Sequence, residues 1–511
     1  MKKKRRTELV YIARLIKNNS EGAESKDDMK LIEIFKKIND TASENKTEVF
    51  VVGGYVRDLL LGRKEKKDID CVVVGGGVEF AKKFDITMEK IGSLVEFPDF
   101  DTARYVLKDG EEDTIEVEFA GARSETYQSK SRKPKVETAD LNTDLSRRDF
   151  TINAMAAPVK IFIKKVTAAA LKKSLTDPYG GEKDLEKMVL RTPLDPDTTF
   201  SDDPLRMLRA IRFAGQLKFF IDKSTLESIH KNRSRIKIIS GERIQDEILK
   251  MMAIEQPSVC LGLLFHTGLL EQILPEVANL DGVEEIFGHQ HKNNLIHSFK
   301  VVDNIAEQSD NVWLRLAGLL HDIGKTGTKE FIPKIGWTFH AHEHLGKKML
   351  YVIAKRLKFS KDTTDYIAKL IRWHLQPISL MDEGITDSAV RRLIVTLGVH
   401  INDLLILGRS DITTGNPLKK ERRLKNYDRL EKRVAEVIEK DKMLSFQSPV
   451  RGDEIMSVCG LKPGPTVGKI KTAIEEAILD GIIPNEYEPA KIYFEKIKDE
   501  YLKNVQDWEK S

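Results

Sequence analysis

The sequence predicts an α/β head followed by a chain that stays helical to its end. Two stretches predict the head. Val49–Val52 reads as a buried strand, Gly53-Gly54 as a turn, Tyr55–Leu61 as a short helix and Asp68–Val74 as a second strand. Further on, Ile115, Val117 and Phe119 alternate with Glu116 and Glu118, the period of a strand with one buried face. The third observation is a change of period: beyond residue 190 short strands cease and apolar residues recur at helical spacing. The expected organisation is a variable basic tail (1–30), the head (31–190), a helical neck (191–284), a histidine-rich helical domain (285–420) and a helical tail (421–511).

Composition narrows the class. Of 511 residues 41% are hydrophobic and 32% charged, as in a soluble chain with several cores. A net charge of +4 is small for this size, so a nucleic-acid surface must come from local clustering. Cys71, Cys260 and Cys459 are too dispersed for a disulfide framework or zinc ribbon and suit a reducing cytoplasm. The basic start MKKKRRTELV lacks the apolar core of a signal peptide, and no run of about 18 apolar residues marks a membrane span.

In chain order, Leu31, Ile32, Ile34, Phe35 and Ile38 make an amphipathic helix before the first strand, and Val78–Ile91 reads as helix. Val95–Arg123 reads as strand, polar loop and strand, and Ser129–Lys135 (SKSRKPK) as a mobile basic loop. Asp144 or Ser146 is expected to cap a helix carrying Arg147, Arg148 and Asp149. Pro158–Ser174 has no functional reading. From Pro204 on, Leu205, Leu208, Ile211 and Phe213 face a core, while Arg206, Arg209 and Arg212 form a stripe that is ordinarily solvated.

The chemistry starts at Asp68 and Asp70, which share one strand face while Ile69 goes to the core. Two adjacent carboxylates repel unless a cation lies between them. Gly53-Gly54 permits close backbone approach, and a helix start offers N–H groups to a phosphate. Together these suit metal-assisted phosphoryl transfer. The string GGYVRDLLLG…DID resembles the signature of the nucleotidyltransferase superfamily. More narrowly it is similar to the class II tRNA nucleotidyltransferases (CCA-adding enzymes) and the related bacterial poly(A) polymerases.

That resemblance covers about residues 31–500 and implies a polymerase-beta-like nucleotidyltransferase head. It implies Mg²⁺ at Asp68 and Asp70. It selects Glu118 over Glu116 as third carboxylate, because the family carries a Glu five residues before an Arg, then a Glu and a Tyr, here Glu118, Arg123, Glu125 and Tyr127. Gly53, Gly54 and Arg57 would cradle the triphosphate. RRDFTINAMA is similar to the family's ribose motif, which would put Arg148, Asp149 and Asn153 near the sugar and phosphates. Asp203 and Arg206 stand three residues apart, an acceptor and a donor expected on one side of a helix. A carboxylate accepts from the exocyclic amino group of cytosine or adenine and is repelled by the keto oxygen of uracil or guanine. The family motif Glu-Asp-x-x-Arg matches at both positions, with Asp202 replacing the leading Glu, and Gly241–Met252 resembles the helix bracing that pocket.

A second constellation gathers most of the 11 histidines: His297, His321-Asp322, His340, His342, His344, His374 and, nearby, Asp411. Imidazoles and carboxylates on helices suit divalent transition metals. HSFKVV…LLHDIGK resembles the HD phosphohydrolases. The resemblance implies one metal on His297, His321, Asp322 and Asp411, a second position completed by His342 and His374, and His340 and His344 as bystanders. Such domains are linked to phosphatase or 2′,3′-cyclic phosphodiesterase activity. In the tail, Lys419–Arg433 has eight basic and three acidic residues, a candidate surface for tRNA phosphates. Gly464-Pro465 and Gly468-Lys469 are expected at a helix start that contacts phosphate.

The expected reaction is untemplated addition of CMP, CMP and AMP to tRNA from CTP and ATP, in the cytoplasm. The alternatives are a poly(A), CC-only or A-only polymerase, an HD phosphohydrolase with an RNA-binding head, or a non-catalytic tRNA-binding protein. The stretch Asp99–Glu112 is the expected moving part, and the sequence does not fix an oligomeric state.

Overall fold

A computed structural model describes residues 26–63, 67–109, 113–126, 135–286, 289–290, 292–381, 386–441, 446–503 and 505–510. The basic tail to residue 25, Tyr127, Gly110–Glu112 and Ser129–Pro134 lie outside the described residues. The chain divides into two compact units. One runs to Ile239 and includes His266–Gln272; the other comprises Ser240–Phe265 and the chain from Ile273.

The head in the first unit is built on the strands β1 (Val49–Val52), β2 (Asp68–Val73), β3 (Ser93–Phe97), β4 (Thr102–Asp109), β5 (Asp113–Gly121), β6 (Arg123–Thr126), β7 (Lys135–Thr138) and β8 (Ala156–Pro158). Six form one mixed sheet in the order β3-β4-β5-β2-β1-β8, and β6 and β7 pair separately. Only β2 and β5 run parallel within the sheet; its other pairings are antiparallel. One face is packed. Phe80 and Phe84 of the helix Gly77–Thr87 lie 5.2 and 5.0 Å from the Phe119 ring of β5, and Phe84 lies 5.1 Å from Tyr105 of β4. The other face carries the charged alternates of the same strands.

Several expectations are corrected here. The polar loop within Val95–Arg123 is largely β4. Ala103, Tyr105 and Leu107 alternate inward, with Arg104 and Lys108 outward, so its charges mark an exposed strand face. Asp101, at φ 43°, accepts from the amides of Gly77 and Val78 at 3.0 and 3.1 Å and so caps a helix. The described part of the stretch expected to move comprises the end of the 3₁₀ turn Pro98–Phe100, the capping Asp101 and β4; its motion is a separate matter from this secondary structure. Asp140, not Asp144 or Ser146, caps the helix Leu141–Ser146, accepting from Thr143 at 2.8 Å. That helix ends before RRDFTINAMA, whose Thr151–Asn153 is a single 3₁₀ turn. Pro158–Ser174 supplies packing: Phe162 stacks on Phe35 of the helix Lys26–Glu44, ring centroids 5.0 Å apart.

In the second unit the helices Asn294–Ala306, Val312–Leu320, His342–Leu357, Lys361–Trp373 and Ile401–Ser410 pack together. Gly241–Met252, expected beside the base pocket, packs on two of them, Val312–Leu320 and His342–Leu357. The helix Pro465–Leu479 does begin after Gly464, but Glu509 accepts from its Thr466 amide at 2.8 Å and is buried there. An internal carboxylate therefore takes the place expected for a phosphate. Among the described residues no helix is long and apolar enough to cross a membrane.

Gly77 marks a tight joint of the head. A Cβ there would lie 2.4 Å from the Gly121 amide nitrogen and 2.5 Å from the Asp101 carbonyl oxygen, both backbone atoms. At Gly76 the nearest atom would be Glu79 Cβ at 3.5 Å, an ordinary contact. Gly77→Ala should therefore destabilise the head by about 1–3 kcal/mol, while Gly76→Ala leaves the first urea transition in place; equal midpoints would refute this packing.

Candidate active site and histidine–aspartate centre

In the head, strand register builds the site. Val52 pairs with Asp70, so the Gly53 turn emerges beside that carboxylate. Gly53 takes φ 71°, a conformation suited to glycine. A Cβ there would lie 3.2 Å from Arg148 Nη1 and 3.4 Å from Asp70 Oδ2, so a cation and an anion converge on the turn. The Gly53 amide itself donates to the Met155 carbonyl at 3.3 Å, tying the turn to β8's approach. Asp68 and Asp70 are exposed on either side of buried Ile69. Across the parallel pair, Asp68 faces Glu116 and Asp70 faces Glu118. The alternation along β5 leaves the two glutamates equivalent; the register makes Glu118 the neighbour of Asp70. Arg104 of β4, opposite Glu118, reaches both glutamates at 3.3 Å.

Behind this face lies a buried polar network. Asp144 is fully buried and pairs with Arg147 at 2.6 Å and Arg148 at 3.2 Å. Burial pushes its carboxyl up, but the Arg148 and Arg147 charges prevail and hold it below the usual range. Asp149 accepts from Arg209 at 2.8 and 2.6 Å and from Asn153 at 2.9 Å. Again burial is outweighed, chiefly by Arg209 and the Asn153 hydrogen bond, and the carboxyl is lowered. Arg57 Nη1 donates to Asn153 Oδ1 at 2.7 Å, and Arg57 also forks onto Asp58 at 2.9 Å. Arg57 is 1% exposed. The guanidinium expected on the triphosphate is thus committed to holding Asn153.

The arginine stripe is not a free solvated face: Arg212 is buried, and the half-buried Arg209 is bound to Asp149. Arg57, Arg209 and Arg212 lie 5.1, 5.3 and 4.2 Å from the centroid of the buried Phe213 ring. The pair expected to read the base, Asp203 and Arg206, also differs from a simple helix face. The helix is Leu205–Leu217, and Asp203 precedes it with φ −133° and ψ 97°. Pro204 forces this, because a residue before proline avoids the α region. Asp203 instead accepts from the Leu205 amide at 3.2 Å, while Arg206 stands in the first turn, both half-buried.

The second unit brings its predicted ligands together. Asp322 Oδ2 lies 3.5 Å from His297 Nε2 and 3.2 Å from His321 Nε2; its Oδ1 lies 3.3 Å from His342 Nε2 and 3.8 Å from His374 Nε2. Asp411 Oδ1 lies 2.9 Å from His297 Nε2 and 3.8 Å from His321 Nε2. One carboxylate therefore faces two histidine pairs, one oxygen to each. The far nitrogens are anchored: Nδ1 of His321, His342 and His374 meets the carbonyls of Gly318, Phe339 and Ile371 at 2.7, 2.8 and 2.7 Å. His297 Nδ1 meets Thr413 Oγ1 at 2.8 Å. A carbonyl only accepts, so the three carbonyl contacts put the proton on Nδ1 of His321, His342 and His374 and leave their Nε2 as the donor atom for a metal. His340 and His344 are exposed.

The residues fit a metal. His321 Nε2 is buried and, despite its ionic neighbours, has no hydrogen-bond partner. Ligand atoms of His297, His321 and Asp411, and of His321, Asp322 and His374, come within 4.8 Å of one another. Among the described residues Asp68, Asp70 and Glu118 form no such group; Glu118 leans to Arg104. Gly324 makes the second centre possible, since a Cβ there would lie 2.0 Å from the His342 carbonyl oxygen. Sequence reading missed Arg104, Asp144, Arg209, Lys325 (which donates to Asp322) and Thr413. Period two around Arg104 and the three-residue recurrence of Arg209 were the available signals.

An α/β sheet with an acidic open face, joined to a helical histidine–aspartate centre, defines a nucleotidyltransferase head with an HD-type domain, both metal-dependent classes. Family profiles agree: the poly A polymerase head domain matches residues 49–191, the probable RNA and SrmB-binding site of polymerase A matches 218–280, and the HD domain matches 294–430. The chain is 34% identical over 343 residues to the multifunctional CCA protein of Pseudomonas fluorescens (strain Pf0-1), spanning 64% of this chain and 74% of that one. It is 32% identical over 337 residues to the A-adding tRNA nucleotidyltransferase of Aquifex aeolicus (strain VF5), spanning 65% of this chain and 38% of that one. Its fold matches the CCA-adding enzyme of Bacillus stearothermophilus, solved in complex with CTP, with a TM-score of 0.64 and 21% identity over 94% of this chain and 100% of that one. The chain belongs to the class II, CCA-adding tRNA nucleotidyltransferase family, in its form with an HD domain.

Protonation governs the histidine–aspartate centre. Burial lowers the His321 imidazole, but Asp322 and then Asp411 outweigh it, so its pKa is raised above the usual 6.5. Burial, with the nearby His321 charge, holds His374 down at about 4. Burial raises Asp411, yet the His297 hydrogen bond and the His321 charge bring it to about 2. A metal must displace the His321 proton, so affinity should fall as pH drops through that raised pKa, with His374 and Asp411 still deprotonated. Co²⁺ titration followed by visible absorption checks this. Affinity unchanged across the imidazole range would remove His321 from the ligand set.

Proposed function

We propose that this chain extends the 3′ end of tRNA by CMP, CMP and AMP, without a template, using CTP and ATP. The observation that carries the reading is the register of Asp70 against Glu118, beside a Gly53 turn wedged between Asp70 and Arg148. Asp68, Asp70 and Glu118 would hold Mg²⁺, which would supply charge to acidify the primer 3′-hydroxyl and to steady the departing pyrophosphate. Gly53, Gly54 and Arg148 floor the triphosphate, and Arg57 sets that floor by bracing Asn153. Asn153 and Asp149 hold the ribose side of the pocket. Asp203 accepts from the amino group of cytosine or adenine while Arg206 donates to the neighbouring ring position.

The histidine–aspartate centre supports a second activity, hydrolysis of phosphate esters. His297, His321, Asp322 and Asp411 would hold one divalent transition metal, and His342 and His374, across Asp322, a second; the chemistry such a metal would supply is Lewis-acid activation of water and of the phosphate ester. The exposed lysines and arginines of the helix Pro417–Asp441 offer a surface to tRNA phosphates. The cytoplasm, where tRNA and nucleoside triphosphates meet, is the proposed setting.

The Aquifex relative's A-adding specificity makes nucleotide choice the point to test. Transcripts ending at the discriminator base, at C and at CC are offered Mg²⁺ with CTP, ATP, UTP or GTP singly, then CTP and ATP together. Growth by three nucleotides that then stops supports the reading. A stop after CC, addition of A alone, or a long A tail replaces it with a sister specificity.

Separate variants divide the two centres. Asp70→Ala should abolish addition while tRNA binding in a filter assay persists; residual addition above about a hundredth of wild type would remove Asp70 from the site. His321→Ala should leave addition intact and abolish release of p-nitrophenol from p-nitrophenyl phosphate.

A further inference from the structure

Arg104 has no part in the expected site, yet it is the cation seated on the acidic face. Across three adjacent strands Arg104, Glu118 and Asp70 stand in one row, and the next row brings Glu116 beside Asp68. Four carboxylates thus share a sheet face, and Arg104 spans two of them, Nη1 to Glu116 and Nη2 to Glu118.

Its grip is loose. Both contacts are 3.3 Å, one per glutamate, and the Arg104 side chain is 45% exposed. Exposed pairs of this kind contribute little and are readily exchanged. Arg148, the other guanidinium at the site, is bound to a fully buried carboxylate, Asp144, and breaking a buried pair is costly. Arg104 is therefore the exchangeable cation of the two. Neighbouring strands lie about 4.8 Å apart, so the row from Arg104 to Asp70 spans roughly 10 Å, the scale of a triphosphate. A planar guanidinium suits two phosphate oxygens at once.

We propose that Arg104 is an exchangeable counter-ion for nucleotidyl transfer: it neutralises Glu118 and Glu116 until a divalent cation takes Glu118, and then pairs with the triphosphate of the incoming nucleotide. This rests on the reading of Asp70 and Glu118 as metal ligands. A divalent ion on Glu118 both withdraws the anion Arg104 was holding and repels its charge, so the same event that completes the metal site releases the guanidinium.

The exchange predicts changes of opposite sign in one variant. Full-length wild type, Arg104→Ala, Arg104→Lys and Asp70→Asn are titrated with Mn²⁺ without nucleotide, by paramagnetic resonance of the free ion. The binding lost in Asp70→Asn defines the head site and separates it from the histidine–aspartate centre. Arg104→Ala should bind Mn²⁺ there about threefold more tightly, because a competing cation is gone. Its KM for CTP and ATP should rise about tenfold, the loss of a charge-assisted phosphate contact, and Arg104→Lys should recover part of that rise. A brace that merely holds β4 to β5 would weaken Mn²⁺ binding or leave it unchanged, and either result overturns the proposal. Asp70→Asn binding Mn²⁺ like wild type, by contrast, overturns the carboxylate reading itself and the exchange with it.

Discussion

Like charges held in register are the constraint on which the head depends. Ile69 and Cys71 of β2 and Val117 and Phe119 of β5 are buried, and their packing fixes how the two strands pair. A slip of one residue would turn every carboxylate into the core and every apolar side chain out to water. The hydrophobic core therefore decides that Asp70 sits against Glu118 and Asp68 against Glu116, an arrangement their charges oppose. The repulsion is relieved on the open face, by Arg104 of the neighbouring strand β4 in this structure and by divalent cations in the reaction we assign to it. Affinity for cations is in this sense built by the core.

The histidine–aspartate centre solves the same problem in burial. Asp322 is 1% exposed, where an unpaired carboxylate would be very unfavourable. Burial raises its pKa, but the nearby His321 and Lys325 charges outweigh it and drive it well below the ordinary value. Four imidazoles surround it, and anchoring their Nδ1 atoms on neighbouring groups turns the Nε2 atoms inward. In the head, cations approach an open face. Here the helices themselves carry the ligands, and the close approach at Gly324 is what lets the helix bearing His342 reach Asp322.

Much of this was legible in the residue pattern, and the failures have physical causes. The strands Val49–Val52 and Asp68–Val73 and the ordered histidines were readable because buried alternation and a family motif say the same thing. β4 was not, since its outward charges resemble a loop when its partner strands are unknown. Asp203 was placed on a helix because spacing alone ignores the proline that follows it. Gly464 was read as a phosphate contact because nothing local announces Glu509, more than forty residues on, as the anion that fills the place. Arg57 and Arg209 were read as a ligand contact and a solvated charge because pairing between distant segments leaves no periodic trace. Family resemblance transfers which residues matter more readily than what each one touches.

The pairing of Arg57 and Arg209 bears on how one pocket combines base choice with chemistry. Arg57 belongs to the short helix Gly54–Leu60 that follows the Gly53 turn, Asp149 and Asn153 to the segment after Arg148, and Arg209 to the helix that begins beside Asp203. Three cations gathered around Phe213 would repel one another but for Asp58 and Asp149, which bind two of them directly. Because these carboxylates are buried and doubly bonded, the turn and the helix cannot move independently without breaking charged contacts in a low-dielectric interior. The base discrimination we propose for Asp203 and Arg206 then needs no separate signal to the acidic face. A base that seats poorly on the helix is misplaced at the turn by the same rigid connection, and misplacement of reacting groups by as little as about 1 Å is enough to slow chemistry substantially.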